Sequence, residues 1–510
     1  MKKLTLLLVF VLAIAMCAPA MAYELPLVSE PTTLSIWVAG AETVTDMDTN
    51  TLSLWLEEKT GVDVTWIHVP TEAETKFNLT ISSGTYPDIY FKGFSADQAL
   101  LYANNGIFLR LNDLIENNSV YYKDILEKED LVRNSVTAED GSIYTFFYSD
   151  VGVHMYCTDK MWVYEPWVQQ YMDATGSEKP VTTDEFEQML IYFRDNDMNG
   201  NGDASDEMPI VGVSSAWSGD PLAFLMNPYQ LWNGNFLVAK DDTVSFIANT
   251  DEYREGLKYA NRLYSEGLID EATYVQDIDQ MKPRITVTDP KDVTIGAFPA
   301  AHVPEYIDCN VFPDALVDYA PYEPLEGPTG LRQANYAGNM QVSLNTAITT
   351  TCEHPEVAFE FCDFLLGGEG GETHFWGFEG KLEDGGTFVW SDDPAVNGSV
   401  PSRVLTFNSG AMQNTFWGAP GPGPVYDSIE LRYSETDVYG WYAWTHYRGH
   451  TTYEPYYTFI GLPQVSWCAD EDLIIERNEQ SILFNEYVKM CNTEFVLGAR
   501  FFPLRSGSRR

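Results

Sequence analysis

The sequence predicts an α/β fold divided into two lobes, and two observations support this. Between residues 33 and 91, short apolar runs and amphipathic runs follow one another in the order strand, helix, strand, helix, strand. This order is typical of an open sheet with parallel strands. The chain also has 510 residues, which exceeds the usual size of one domain and suits two lobes.

The predicted elements of this first sheet cover residues 33–38, 51–60, 62–69, 72–83 and 86–91. Each of the two helices is followed by a glycine, Gly61 or Gly84, which is a common way to end a helix. Ligands of open α/β sheets bind beyond the carboxyl ends of the strands. Residues that follow Trp37 and Phe91 are therefore expected near a site.

Amphipathic patterns predict further helices over residues 184–195, 252–266, 355–366 and 478–490. Thr183 is the expected N-cap of the first, because a threonine side chain can accept from the first backbone N–H groups of a helix. A glycine, Gly267, follows the second.

The charge and aromatic content of the chain exclude some classes of ligand and favour others. The formal net charge is -45, which repels phosphate backbones, so we expect no nucleic-acid partner. The acidity is consistent with the solubility of an exported protein. Aromatic residues make up 14% of the chain; most must lie in cores, but some are expected to line a site.

The N-terminus has the pattern of a signal peptide over residues 1–22. Lys2 and Lys3 precede an apolar run over residues 4–16, and Ala20-Met21-Ala22 is a small-x-small cleavage pattern. The protein is therefore expected to be exported. Cys17 leaves lipoprotein anchoring open as the less favoured alternative. The seven cysteines form no CxxC pair, and their spacing leaves both disulfides and isolated buried thiols open.

Ten segments, taken in order, resemble the extracellular solute-binding proteins of ABC importers, in the group that serves oligosaccharides. They include "LEEKTGVDVTWIHVP", "KFNLTISSGTYPDI" and "EGLKYANRLYSEGLID", and they cover residues 56–70, 76–89, 106–115, 140–146, 180–190, 197–209, 255–270, 324–330, 354–365 and 375–380. The resemblance implies a type II periplasmic-binding-protein (Venus-flytrap) fold whose hinge-connected lobes close on a carbohydrate and deliver it to a membrane permease. It also implies a monomer with no catalytic residues.

On this basis the first lobe is assigned to residues 23–148 and 333–385, and the second to residues 149–332 and 386–499. Residues 500–510, "RFFPLRSGSRR", depart from the resemblance as an aberrant basic tail.

The loop from Asp195 to Glu207 places oxygen side chains at alternate positions with glycines between them, as Ca²⁺ ligation requires. One register is similar to an EF-hand loop that starts at Asp195. The other resembles the family's calcium loop and is preferred; its ligands are Asp197, Asn199, Asn201, the carbonyl of Asp203, Asp206 and Glu207. An acidic surface turn without metal is the alternative.

Sugar rings stack on aromatic side chains, and their hydroxyls need polar partners. Several tryptophans fall at strand ends or in glycine-flanked, loop-like contexts. The candidate ligand-binding residues are Trp37, Trp217, Trp232, Trp376, Trp417 and Trp444, with the polar side chains Asp46, Lys92 and Glu379.

Three functions remain open at this point. The favoured one is a carbohydrate-binding importer component that is not an enzyme. The second is a binder of peptide or another small solute on the same fold. The third is a secreted carbohydrate-active enzyme, although no nucleophile elbow, zinc motif or phosphate loop is present.

Overall fold

The computed structural model describes residues 22–498 except for 41–43, 233–235, 241–242, 310, 382–383, 396–397, 407–412, 419, 424–430, 432–437, 460–464 and 469. Most of the predicted signal peptide, including Cys17, and the basic tail lie outside the described residues. The chain divides into two compact units. Unit 1 is Met1–Tyr148, Ser343–Phe378 and Ser409–Pro424, and unit 2 is Ser149–Val342, Glu379–Asn408 and Val425–Arg510.

The strands are β1 Thr32–Ala39, β2 Val62–Val69, β3 Ile89–Phe94, β4 Phe146–Asp150, β5 Lys160–Tyr164, β6 Leu237–Lys240, β7 Thr243–Phe246, β8 Ala297–Ala300, β9 Tyr319–Pro321, β10 Ala334–Tyr336, β11 Gln341–Ile348, β12 Phe388–Ser391, β13 Ser402–Leu405 and β14 Tyr457–Phe459.

The α-helices are α1 Thr51–Thr60, α2 Ala73–Ser83, α3 Ala96–Asn104, α4 Asn112–Asn118, α5 Tyr122–Lys128, α6 Asp130–Val136, α7 Glu165–Thr175, α8 Thr183–Asp195, α9 Leu222–Leu225, α10 Asp251–Ser265, α11 Ile278–Ile285, α12 Ala315–Asp318, α13 Pro355–Phe364, α14 Gly368–Trp376, α15 Val438–Tyr453 and α16 Glu471–Val496. Within the described residues, no helix combines the length and the apolar character needed to cross a bilayer.

Unit 1 is organised around a five-stranded sheet in the order β2-β1-β3-β11-β4. Strand β1 pairs in parallel with both β2 and β3, and β11 joins β3 in antiparallel fashion. The parallel core of this sheet is the one that the strand and helix order predicts. Leu34, Ile36 and Val38 of β1 are fully buried, and Trp37 between them is buried as well. The strand is thus covered on both faces, as parallel strands usually are.

Unit 2 contains a three-stranded antiparallel sheet in the order β8-β5-β9. Its main core includes Trp162, Trp167, Phe186 and Phe298, and the Trp162 indole N–H donates to the carbonyl of Ala300 at 2.9 Å. A second apolar cluster includes Trp232, Tyr253 and Val496, and it joins α10 to the end of α16. The side-chain amide of Asn261 caps this join by donating to the carbonyls of Phe495 and Val496.

Helix α8 begins one residue earlier than the sequence predicts, and its N-cap is Thr182 rather than Thr183. The Thr182 hydroxyl accepts from the backbone N–H of Glu185 at 3.3 Å, and the Glu185 carboxylate accepts from the Thr182 N–H in return. Asp184 and Glu185 follow both threonines in the sequence. Thr182 is the N-cap because the residue three positions after it, Glu185, completes a reciprocal capping box.

Beyond residue 332, the lobe boundaries expected from the sequence differ from the boundaries of the two units in the structure. The chain passes back to unit 1 at Ser343, and residues Ser409–Pro424 belong to unit 1 rather than to the second lobe. Contacts with α1 explain this return. The Leu52 N–H donates to the carbonyl of Thr415 at 3.0 Å, and the Trp417 indole donates to the Ser53 hydroxyl at 2.9 Å.

The six cysteines in the described part of the chain are free thiols: Cys157, Cys309, Cys352, Cys362, Cys468 and Cys491. Of the two alternatives left open by their spacing, the structure has unpaired thiols. Burial raises the pKa of Cys157 to about 12, so this thiol stays protonated at neutral pH.

Candidate functional site in unit 2

Unit 2 contains a cavity of about 510 Å³ that brings together aromatic and polar side chains from separate parts of the chain. This size is within the range of small-molecule sites. The lining residues are Asp159, Ser214, Ser215, Ala216, Trp217, Ser218, Asp220, Leu222, Ala223, Trp232, Lys489, Asn492 and Thr493.

A short closed loop presents Trp217 to this cavity. The Val213 N–H donates to the carbonyl of Gly219 at 2.9 Å and closes the base of the loop. The Ser218 hydroxyl donates to Glu305 Oε2 at 2.6 Å, and it accepts from the Ala301 N–H at 3.1 Å. The residue that follows Trp217 is therefore anchored to residues outside the loop. Trp217 at the tip is 54% exposed, so its ring face is available to a ligand.

Trp232 lines the same cavity but is held differently. Its backbone N–H donates to Asn227 Oδ1 at 3.0 Å, and its ring stacks on Phe236 with the centroids 6.4 Å apart. The ring is buried, and among the described residues its indole N–H has no hydrogen-bond partner. A buried donor without an acceptor is costly unless a ligand or water completes it. The group is therefore a candidate for ligand contact.

Two carboxylates line the cavity as well. Asp220 Oδ1 accepts from the Leu222 N–H at 3.0 Å. The pKa of Asp220 is raised to about 7, mainly by burial and in smaller part by the nearby charge of Asp159, while the Leu222 N–H and Lys489 act in the opposite direction. Asp159 is buried, which raises its own pKa, and its Oδ2 accepts from the Asn335 amide at 2.9 Å.

Of the candidate tryptophans, Trp217 and Trp232 are brought together, but three others lie in the interior of unit 1. Trp37 is buried, with edge contacts to Phe77 and Tyr90 at 6.0 and 5.8 Å. Trp417 is 1% exposed, and Trp376 is buried at the end of α14. These rings fill cores and are not part of the candidate site.

The polar candidates are also scattered. The buried Lys92 ammonium pairs with Glu74 at 2.9 Å. Asp46 is exposed and accepts from the Asp48 N–H, which makes it a turn residue before α1. Glu379 is exposed in unit 2. The half-buried ring of Trp444 is covered by the Arg448 guanidinium, whose Cζ lies 4.6 Å from the ring centroid. None of these four lines the cavity.

Sequence reasoning did not single out Asp159, Asp220, Lys489 or Asn492. Asp220 had a signal, because it closes the polar segment "SSAWSGD" that surrounds Trp217. Asn492 had none. It lies on the long helix α16, and its amide donates to the Tyr253 hydroxyl at 2.6 Å, a partner 239 residues away in sequence.

The predicted calcium loop folds as a series of tight turns held by its own side chains. Asp197 Oδ1 and Asn199 Oδ1 both accept from the Asn201 N–H, at 3.1 and 2.9 Å. Asn201 Oδ1 accepts from the Asp203 N–H at 2.7 Å. The turn between them needs the left-handed conformation at Gly200, where φ is 71°. The oxygens of alternate residues therefore already point inward toward backbone N–H groups.

Two carboxylate oxygens at the end of this loop, Asp206 Oδ1 and Glu207 Oε2, are buried and have no hydrogen-bond partner in the described part of the chain. Glu207 is 4% exposed, and burial raises the pKa of its carboxyl. Such orphaned acceptors fit a hard cation, which prefers oxygen ligands. In the described residues, however, no three His, Cys, Asp or Glu side chains are gathered in a group that could hold a metal. A calcium site here would need the amide and carbonyl oxygens of the loop.

No protein-family model matches the chain. A segment of 231 residues, 44% of this chain, is 32% identical to the fructooligosaccharide ABC transporter substrate-binding protein FusA of Streptococcus pneumoniae and covers 42% of it. A segment of 229 residues is 27% identical to lipoprotein LipO of Bacillus subtilis, again covering 44% of this chain and 42% of the relative. The matched segments thus span less than half the length of these relatives.

The fold likeness extends over nearly the whole chain. FusA from S. pneumoniae in complex with kestose superposes with a TM-score of 0.73 at 24% identity, over 92% of this chain and 93% of the other. An HMO-binding, ABC-transporter-associated solute-binding protein from Bifidobacterium longum infantis gives a TM-score of 0.71 at 17% identity, over 92% and 93%. The two-lobe fold predicted from the sequence is confirmed.

Proposed function

We propose that this chain, a relative of the substrate-binding proteins of ABC sugar importers, is itself the solute-binding component of a bacterial importer and captures an oligosaccharide. The observation that carries the proposal is the cavity of unit 2. It offers an exposed indole face at Trp217, an unsatisfied N–H donor at Trp232 and a carboxylate acceptor at Asp220. A sugar needs all three, because it has apolar C–H faces and hydroxyls that both donate and accept.

In this proposal the protein is exported, acts as a monomer and hands its ligand to ABC permease subunits at the membrane. The signal-peptide pattern of residues 1–22 and the relationship to an ABC transporter protein and a lipoprotein support this. The protein binds its ligand without altering it. The similarity to FusA, a substrate-binding protein, supports binding without a chemical change of the ligand.

The test is calorimetric titration of the mature protein with neutral oligosaccharides, including kestose and trimers of glucose, mannose and galactose, and with tripeptides. Chromatography of the same mixtures after a day would detect turnover. Binding of at least one oligosaccharide without new products is expected. Peptide binding alone would favour the second function considered above, and release of shorter sugars would favour an enzyme.

We further propose that the loop from Asp197 to Glu207 holds one structural calcium ion. The residues that would hold it are Asp197, Asn199, Asn201, Asp203 through its carbonyl, Asp206 and Glu207. The two buried carboxylate oxygens without partners support this, since bound calcium supplies the positive charge that they lack. The ion would lie in a loop whose residues do not line the cavity, so its expected role is stability rather than ligand contact.

A further inference from the structure

The cavity of unit 2 has an uneven charge distribution. Two of its lining residues are acids, Asp159 and Asp220, and both belong to the wall of the same 510 Å³ space. They are close enough for the charge of Asp159 to act on Asp220. Lys489 is the single basic residue in the described lining, and it is exposed. No arginine lines this cavity among the described residues.

The two carboxylates differ in what they can offer to a ligand. Asp159 is 6% exposed, and its Oδ2 is engaged by the Asn335 amide. Asp220 is only partly buried, and its Oδ1 is engaged by the Leu222 N–H. Within the described part of the chain, no donor meets Asp220 Oδ2. This oxygen is therefore the one that Asp220 has left to offer to a bound molecule.

We propose that Asp220, supported by Asp159, makes this cavity select against negatively charged sugars, so that its ligand is a neutral or amino-bearing oligosaccharide and not a uronic-acid oligosaccharide. The inference rests on the function proposed above and adds the substrate class. An ionised carboxylate accepts hydrogen bonds from hydroxyl or ammonium groups, but it repels a second carboxylate placed against it. Exclusion by an unfavourable charge is an ordinary source of specificity.

Lys489 does not reverse this selection, because it is the single basic residue of the described lining, is exposed, and stands against two carboxylates. The Lys489 ammonium lowers the pKa of Asp220, in opposition to the effects of burial and of Asp159. The positive charge of Lys489 and the negative charge of Asp220 thus partly offset each other while Asp220 is ionised. If Asp220 is replaced by a neutral side chain, one of the two negative charges that oppose the charge of Lys489 is removed, and an anionic ligand is repelled less. The same substitution should therefore weaken the exclusion of uronates.

The test uses the full mature chain at pH 8 and trimers matched in linkage but not in charge. These are 1,4-linked trimers of mannose, galactose and glucose, their mannuronate, galacturonate and glucuronate counterparts, and the glucosamine trimer. Calorimetry or thermal shift would give the affinities for the native protein, Asp220→Asn and Asp173→Asn. Asp173 is an exposed acid on α7 that does not line the cavity, so its variant controls for the loss of one charge.

We expect each uronate trimer to bind the native protein and Asp173→Asn at least about tenfold more weakly than the neutral or amino trimer of the same linkage. In Asp220→Asn this gap should shrink to less than about threefold. Equal binding of a uronate and its neutral counterpart by the native protein would overturn the inference. So would an unchanged gap in Asp220→Asn. Failure of all these trimers and of kestose to bind would instead overturn the function proposed above, and the two failures are thus distinguishable.

Discussion

The backbone N–H of Val213 donates to the carbonyl oxygen of Gly219 at 2.9 Å, and this contact closes the loop that carries Trp217. The closure depends on a residue without a side chain. A Cβ at position 219 would meet the Val213 carbonyl oxygen at 2.6 Å and would collide with the Tyr306 hydroxyl. Loop shape and ligand contact are therefore tied to one glycine.

Gly219→Ala is expected to lower the free energy of unfolding by about 1–3 kcal/mol, because backbone and a buried ring must both move. Affinity for the sugar should fall as well, since Trp217 is displaced. Thermal or urea unfolding and calorimetry would measure the two effects. Gly93→Ala is the control, because a Cβ there meets nothing within 4 Å. If both variants behave alike, close approach at Gly219 is not what shapes the loop.

Trp217→Ala is expected to weaken oligosaccharide binding by about ten- to a hundredfold while leaving the melting temperature almost unchanged. The ring is 54% exposed, so little core packing is lost, and stacking contacts of this size contribute roughly 1–3 kcal/mol. Trp390→Ala, at a 42% exposed tryptophan outside the cavity, should leave affinity intact. A loss of affinity in both variants would argue against a stacking role for Trp217.

The first sheet could be predicted from sequence because its signals are local. The helix predicted over residues 51–60 has those bounds in the structure, since both ends are fixed by adjacent residues. The Asn50 side chain accepts from the Leu52 N–H, and Gly61 takes the left-handed conformation with φ 73°. The return of residues Ser409–Pro424 to unit 1 had no such local signal, because the contacts that hold it involve α1, far away in sequence.

The site was predictable only in part for the same reason. Trp217 stands in a glycine-flanked polar loop, and its ring is exposed, as a ligand-binding role requires, although that role stays a prediction. Trp417 stands in a similar context, yet its indole donates to Ser53, 364 residues away in sequence, and its ring packs 4.9 Å from that of Trp66. Local sequence cannot distinguish a loop tryptophan that reaches back into a core from one that faces a cavity.

Removal of calcium is expected to lower the melting temperature. Metal that binds the native state alone stabilises it, and EDTA withdraws that contribution. Readdition of Ca²⁺ should restore the original value more fully than Mg²⁺, which accommodates a loop of many oxygen ligands less readily. Glu207→Gln should abolish the EDTA effect, because it removes the charge at one of the two orphaned oxygens. An unchanged melting temperature in EDTA, with no calcium in the purified protein, would contradict the site.

Asp220→Asn is expected to make the protein more stable at pH 8 but not at pH 4. The pKa of Asp220 is raised from 3.8 to about 7, mainly by burial and also by Asp159, against the opposing effects of the Leu222 N–H and Lys489. Because the pKa is higher in the folded state, the protonated carboxyl of Asp220 contributes its full stabilisation below about pH 4. This stabilisation is lost as the pH rises through 7 and the carboxyl ionises.

Each unit of raised pKa corresponds to at most about 1.4 kcal/mol of folding free energy, and solvent screening at the partly exposed Asp220 lowers this contribution. The gain in the free energy of unfolding at pH 8 should therefore be on the order of 1 kcal/mol. Urea unfolding at the two pH values would measure it, with Asp173→Asn as the matched control. A destabilised Asp220→Asn at pH 8 would show that the carboxylate is a structural requirement and not a group held ready for ligand.

Three closely packed imidazoles, on the buried His446 and the half-buried His154 and His302, should make unit 2 sensitive to acid. The rings of His154, His302 and His446 lie with centroids 4.7–5.2 Å apart, beside the buried Lys160. Burial lowers the pKa of all three, that of His302 to about 3, and the nearby positive charge of Lys160 acts in the same direction. A lowered histidine pKa gives stability that is present above about pH 6.5 and is lost as the pH falls.

The melting temperature of the native protein is therefore expected to fall between pH 7 and pH 5. His446→Gln, which cannot be protonated, should be less stable at pH 7 but should lose less on acidification. His354→Gln is the control, because this histidine is exposed and its variant should follow the native curve. Parallel acid curves for all three proteins would place the origin of acid sensitivity elsewhere, whereas a flatter curve for His446→Gln alone would assign it to the packed imidazoles.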